Sequence, residues 1–196
     1  MARWEPNASQ RLAEAAIGLF AERGYDNTTV LDIAQRAGLA KSTFFRHFQN
    51  KRDVLFGEDA LTEQLVPAIT AAPVDATPLE AVARGIDELG RTVFTSAHRA
   101  FSSRRRAVIE AHSDLQEREA LKGISLTASI AQALTRRGTP TLTAQVTAEL
   151  STLALKVAYE RWSNVDNAGE YGDIARQALY DVQAAVSSVE MRLSDQ

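Results

Sequence analysis

Cysteine is absent from the chain, which excludes a disulfide scaffold and every thiolate metal site and fits a reducing compartment. No stretch approaches the roughly 18 consecutive apolar residues that a membrane span needs. The polar, acidic start lacks the basic-then-apolar order of a signal peptide, so a cytoplasmic protein with no membrane partner is expected. Histidine occurs only three times, and the spacing of His98 and His112 suits no metal site. There is no glycine-rich phosphate loop, and no serine or carboxylate stands where a nucleophile would have a base beside it. The chain is therefore expected to be no enzyme and to carry no cofactor and no metal. Strand patterns are missing as well, because β-branched residues never alternate with polar ones over more than a few positions.

What remains is a helical pattern. With 196 residues, 45% of them hydrophobic, the chain can bury a core as one large domain or two small ones. Leu12, Ala16, Leu19, Phe20 and Arg23 recur at helical spacing, with Gly24 as a stop. Thr28 and Thr29 precede a short helix of Val30, Ile33, Ala34 and Ala37, with Asp32 in its first turn and Gly38 at its end. Two residues later Lys41 to Phe48 reads as a helix again, which makes helix, turn, helix. A fourth helix is expected from Lys51 through Leu61 and Leu65 to Pro67, where the missing amide should kink or end it. After a Pro73 to Pro78 connection, with Thr77-Pro78 as a helix entry, helices are expected over 78–97, 99–112, 114–136, 141–163 and 170–193.

Charge divides the chain. The net charge is −3, yet residues 1–56 carry eight basic and six acidic side chains, and 57–196 carry fourteen and nineteen. Arg36, Lys41, Arg46, Lys51 and Arg52 lie in one run without an acid. A basic end on an acidic protein points to a polyanion. In the helix 41–48, Phe44 and Phe48 share a face that can pack on Phe20, Ile33 and Leu39. Thr43, Arg46 and His47 then look outward with Lys41 and Phe45 at the rim, a set suited to phosphates, guanine edges and thymine methyls in a major groove. Thr28 and Thr29 offer hydroxyls and free amides to a phosphate, and Lys51 and Arg52 can grip the backbone beyond. A cation cluster is also, more simply, a solvated face.

These residues resemble a family. Glu22-Arg23-Gly24-Tyr25, Thr28-Thr29, Ile33-Ala34-Gln35-Arg36-Ala37-Gly38 and Phe45-Arg46-His47-Phe48-Gln49-Asn50-Lys51 are similar to the DNA-binding domain of TetR-type transcriptional regulators. The resemblance implies an all-α protein: a three-helix helix-turn-helix domain over 1–50, then a helical ligand-binding and dimerisation domain over 51–196. It implies phosphate contacts from Thr29, His47 and Lys51, with Lys41, Thr43, Phe45 and Arg46 on bases or adjoining backbone; Thr28 and Ser42 complete the DNA-binding set. Phe45 stands where the family commonly has tyrosine, so no hydroxyl is offered there. Ala40 replaces a frequent serine, leaving Ser42 or the bare backbone to cap the helix.

The implied protein is a homodimer on a palindromic operator, a repressor released by an unknown small-molecule effector. Phe94, Phe101, Tyr159 and Trp162, with His98, Arg104 and His112 as polar anchors, are candidate pocket residues, although aromatics at helical spacing are more often core than ligand wall. Arg104, Arg105 and Arg106 point around a helix and read as a solvated patch. Val146, Leu150, Leu153 and Val157, and then Leu179, Val182, Val186 and Val189, repeat at threes and fours, a seam that fits core packing or a four-helix dimer interface. An activator of the same fold and a helical protein-interaction adaptor are the rival functions.

Overall fold

The computed structural model describes residues 8–57, 59–164 and 166–194, with side chains as far as Ser188. Among the described residues every regular element is helical: α1 (Ala8–Arg23), α2 (Val30–Arg36), α3 (Lys41–His47), α4 (Asp53–Phe56), α5 (Ala60–Thr70), α6 (Pro78–Thr92), α7 (Arg99–Glu110), α8 (Ser113–Arg136), α9 (Thr141–Trp162) and α10 (Tyr171–Ser194), with a 3₁₀ turn at Ser96–His98. Among the described residues no helix is long and apolar enough to cross a membrane. The expected all-α class is the class observed. The chain packs as two compact units, Met1–Glu58 with Phe101–Glu119, and Asp59–Ala100 with Ala120–Gln196. Packing thus groups residues 101–119 with the helix-turn-helix, where the resemblance implied a single boundary at residue 50.

In the first unit, Leu12, Ala16, Leu19 and Phe20 of α1 meet Ile33 and Ala34 of α2 and Phe44 of α3, and Val54, Leu55 and Phe56 of α4 join the same core. Val108, Ile109 and Leu115 of the 101–119 segment complete it. The turn between α2 and α3 has a physical author in Gly38, at φ +66°. Its amide bonds the Gln35 carbonyl, and the Leu39 amide reaches back to the Ala34 carbonyl at 2.8 Å, so two orphan carbonyls of α2 are satisfied by a left-handed residue that a side chain would strain. Arg11 of α1 donates to the Ala37 carbonyl and fastens the turn from below.

The second unit is built on the antiparallel α5–α6 pair and on α9 and α10, with Leu126, Ile130, Ala133 and Leu134 of α8 in the same core. The expected entry at Thr77-Pro78 forms a capping box: the Thr77 hydroxyl accepts the Glu80 amide while the Glu80 carboxylate accepts the Thr77 amide. Gly85 of α6 lies against Leu65 so closely that a Cβ would fall 2.5 Å from a Leu65 methyl, so the α5–α6 approach requires a residue without one.

Two expectations about helix ends are corrected. The helix drawn from Lys51 to Pro67 is two helices, interrupted at Gly57 with φ +53°, and Pro67 sits inside α5 rather than ending it. Burial of Leu65 and Ile69 on either side of the proline outweighs one lost hydrogen bond and carries the helix a further turn. The helix expected over 78–97 stops at Thr92, where the Val93 and Phe94 amides share the Leu89 carbonyl.

Candidate nucleic-acid interface

α3 is held by its aromatics. Phe44 is fully buried and Phe48 nearly so, their ring centres 5.6 Å apart. With that face committed, Lys41, Ser42, Phe45, Arg46 and His47 are exposed and Thr43 is half-buried. Phe45 is 51% exposed, edge-on to Phe44 at 5.6 Å, and the Lys41 ammonium stands 5.8 Å from its ring centre. A large apolar ring kept in water and flanked by cations is costly to leave bare, and it suits a groove that offers methyl groups beside phosphates. Ala40 caps the helix without a side-chain bond; Ser42 does not substitute for it.

The cation run is less uniform than its sequence suggests. Arg36 makes a two-pronged pair with Glu22 at 2.9 and 2.6 Å. That hydrogen-bonded pairing holds the Glu22 carboxyl below its ordinary value and raises the Arg36 guanidinium. Lys51 turns inward: its ammonium donates to the Tyr25 carbonyl at 2.8 Å, more weakly to those of Asp26 and Thr28 at 3.4 Å, and lies 4.2 Å from the Tyr25 ring centre. Lys51 therefore ties the turn after α1 to the start of α4, where Asn50 and Asp53 cap one another. The outward positive charge rests on Lys41, Arg46 and Arg52.

The threonine pair divides its labour. Thr28 is 1% exposed, and its hydroxyl donates to the Gly24 carbonyl at 2.9 Å, which corrects the expectation of a solvent-facing phosphate ligand. Thr29 is exposed but engaged: its hydroxyl donates to the Asp32 carboxylate at 2.6 Å and accepts the Asp32 amide, and its own amide also binds that carboxylate. The backbone amides expected to be free for a phosphate are to this extent occupied by a capping box, with Arg23 3.6 Å from the same carboxylate.

The candidate pocket residues separate. Phe94, Tyr159 and Trp162 come together in the second unit, with Phe94 5.7 Å from Tyr159 and 5.5 Å from Trp162 between ring centres. Tyr171, which the sequence pattern did not single out, joins them at 4.2 Å from Phe94. Arg99 places its guanidinium carbon 5.3 Å from the Trp162 ring centre. His98 is exposed beside the Thr95 hydroxyl. Phe101, Arg104 and His112 belong to the first unit, where His112 lies edge-on to Tyr25 at 5.1 Å and bonds the Val108 carbonyl. Arg105 is no solvated residue: its side chain is 16% exposed, paired with Glu119, bonded to the Leu55 carbonyl and lying against the Phe56 ring. An arginine that bridges α7, α8 and the end of α4 leaves no periodicity in sequence, since its partners are remote.

The seam residues also divide. Leu179 and Val182 are buried within the second unit, Leu150 and Val157 are half-buried against its core, and the Val189 side chain lies outside the described residues. Val146 and Leu153 are 50% and 49% exposed, and Val186 is exposed too. Leu142 and Tyr180, which the spacing argument passed over, are more exposed still. α9 consequently has two apolar faces. Ala144, Ala148, Leu155, Ala158 and Trp162 are buried on one; Leu142, Val146, Leu150, Leu153 and Val157 lie on the other.

Residues 12–57 match the family described as bacterial regulatory proteins, tetR family. Among curated relatives, the HTH-type transcriptional regulator TcmR of Streptomyces glaucescens is 37% identical over 73 residues, 37% of this chain and 32% of its own. The negative transcriptional regulator IcaR of the biofilm operon icaADBC in Staphylococcus aureus is 39% identical over 44 residues, 22% of this chain and 24% of its own. The match thus spans a third or less of the length of these relatives. Over the whole chain the structure is similar to the SmeT–triclosan complex, with a TM-score of 0.64 at 17% identity, covering 91% of this chain and 90% of that one. At that identity the likeness speaks for the fold alone.

Proposed function

We propose, from the match of residues 12–57 to the bacterial regulatory proteins of the tetR family, that the chain is a member of that family and a sequence-specific DNA-binding transcriptional regulator of the bacterial cytoplasm. It acts as a homodimer on a palindromic operator and as a repressor that a small molecule releases. The observation that carries this reading is the split character of α3: Phe44 buried, and Lys41, Ser42, Phe45, Arg46 and His47 all exposed on one short helix behind a glycine turn. Such a helix can enter a major groove, with Arg46 on base edges, Lys41 and His47 on phosphates, and Phe45 on a thymine methyl. Thr43 and Thr29 lie at the margin of that surface, and Arg52 adds a phosphate contact.

The second unit supplies dimerisation and effector binding. The outer face of α9 leaves Leu142, Val146 and Leu153 exposed in the single chain, and that face, extended by Tyr180 and Val186 of α10, suits a second copy related by a two-fold axis. Such a dimer must present its two recognition helices about 34 Å apart, one DNA turn. An effector that favours a different separation weakens DNA binding, and DNA weakens effector binding by the same factor. IcaR is named a negative regulator and SmeT forms a complex with triclosan; both support repression relieved by a small ligand. Recovery and sequencing of fragments that the purified protein retains from sheared DNA of its source at moderate salt tests the reading. A short palindrome is expected. Retention that is indifferent to sequence and to salt would leave the basic end to a protein partner instead.

A further inference from the structure

Within the second unit, two buried N–H groups have no acceptor among the described residues: the indole Nε1 of Trp162 and the Nε of Arg99. Trp162 is completely buried. Arg99 donates through Nη1 to the Asn167 carbonyl and through Nη2 to the Gly169 carbonyl, and its guanidinium stacks on Trp162. Its acceptors are therefore neutral. Arg91, Arg161 and Arg176 of the same unit each face a carboxylate, from Glu88, Asp181 and Asp87 respectively. Arg137 also bonds only carbonyls in the described contacts, but it has neither an orphan donor nor an aromatic neighbour. Among the described residues of this unit, Arg99 combines a half-buried positive charge, an unused donor and a wall of rings.

The rings are Phe94, Tyr159, Trp162 and Tyr171. Phe94 touches the other three, and Trp162 meets Tyr171 at 5.7 Å and 89°. Edge-to-face and offset arrangements of this kind accept a further ring on the same terms. Resting on the reading of this unit as effector-binding, we propose that Phe94, Arg99, Tyr159, Trp162 and Tyr171 form the effector site and that the effector is a small aromatic carboxylate. Its ring packs against the side of this cluster where Tyr159 is half-buried, and its carboxylate accepts from Arg99 Nε and Trp162 Nε1. The anion neutralises the guanidinium and supplies the acceptors that both buried donors lack.

Calorimetric titration of the full-length protein with benzoate, phenylacetate, benzamide and octanoate tests this. Benzoate or phenylacetate should bind saturably at one per chain, with benzamide at least about tenfold weaker, as expected where a charge-assisted pair is removed, and octanoate weaker because it has no ring to pack on the aromatic side chains. Arg99→Gln should weaken the aryl acid by about tenfold or more, and Trp162→Phe, which keeps a ring and deletes only the N–H, by about fivefold. If Arg99→Gln loses its helical circular dichroism, Trp162→Phe decides. Absence of saturable binding by either aryl acid overturns the proposal, as does equal binding of benzamide, a preference for octanoate, or indifference to Trp162→Phe. DNA recovery run in parallel separates the two claims: a palindrome without aryl-acid binding defeats this inference alone, and aryl-acid binding without DNA retention defeats the regulator reading alone.

Discussion

α3 and α9 pose the same problem with opposite chemistry. Each commits one face to its own unit's core: Phe44 for α3, and Ala148, Leu155 and Trp162 for α9. Each leaves a second face in water. On α3 that face is cationic and polar around one exposed ring; on α9 it is aliphatic, with Leu142, Val146 and Leu153. A face of the first kind gains from a polyanion, whereas a face of the second kind gains from an apolar cover such as its own copy. On the proposed reading, the first face answers a partner of opposite charge and the second a copy of the same chain.

The harshest test of this contrast removes the anchor rather than the contact. Phe44→Ala should destabilise the first unit by about 3–5 kcal/mol, the usual cost of deleting a buried phenylalanine, and abolish DNA retention. Calorimetric unfolding should show the second unit's transition unmoved; loss of both together would mean that the two packing units are not separate in stability. Next in size, Leu153→Glu should convert dimers to monomers, raising the dimer dissociation constant by about two orders of magnitude, since a charge at an interface centre costs at least about 2–3 kcal/mol. Helical content should persist because Leu153 is half-exposed in the single chain. A dimer that survives in sedimentation equilibrium would place the interface elsewhere.

The legibility of the two faces differed for a physical reason. The helix-turn-helix is local: Gly38, the Phe44 and Phe48 pair and the exposed cations lie within a short span, so spacing alone assigns their sides. The second unit depends on remote packing. Repeats of threes and fours marked Leu179 and Val182 alongside Val146 and Leu153, and could not tell that the first two fill their own core while the others face water. The same limit hid Tyr171 and Arg99, whose partners lie on other segments, and disguised Arg105 as one of three surface arginines. Even in the first unit, spacing did not reveal that Arg36 is paired to Glu22 or that Lys51 points at carbonyls.

That last distinction yields a sharper pair of substitutions. Arg46→Ala should weaken binding to the best site by about 1–3 kcal/mol and random DNA by much less, because a base-reading contact is lost. Lys51→Met should act mainly on folding, lowering the stability of the first unit by about 1–2 kcal/mol through lost bonds to three carbonyls, with a similar proportional effect on all DNA. Fluorescence anisotropy on specific and random duplexes, with thermal melting of each variant, separates them. Equal losses on both duplexes for Arg46→Ala would remove its base-reading role, and an unshifted melting temperature for Lys51→Met would remove the tether.

The smallest expected effect compares one device in the two units. Thr29 with Asp32 and Thr77 with Glu80 form matching capping boxes at the starts of α2 and α6. Bonds from the Thr29 hydroxyl, then from its amide, hold the Asp32 carboxyl below its ordinary value; the Thr77 amide, then its hydroxyl, do the same for Glu80. A carboxyl depressed in the folded state contributes stability that is complete above its unfolded pKa and is lost as pH falls through its folded pKa. Both boxes should therefore open only below the ordinary carboxylate range. α2 has seven residues and α6 fifteen, so an uncapped α2 retains fewer hydrogen bonds with which to resist fraying. On acidification, amide protection at the start of α2, corrected for the intrinsic exchange rate at each pH, should fall before that at the start of α6, and Thr29→Val should remove the pH dependence at α2 alone. A simultaneous fall at both helices would show that cap loss alone, and not helix length, governs fraying.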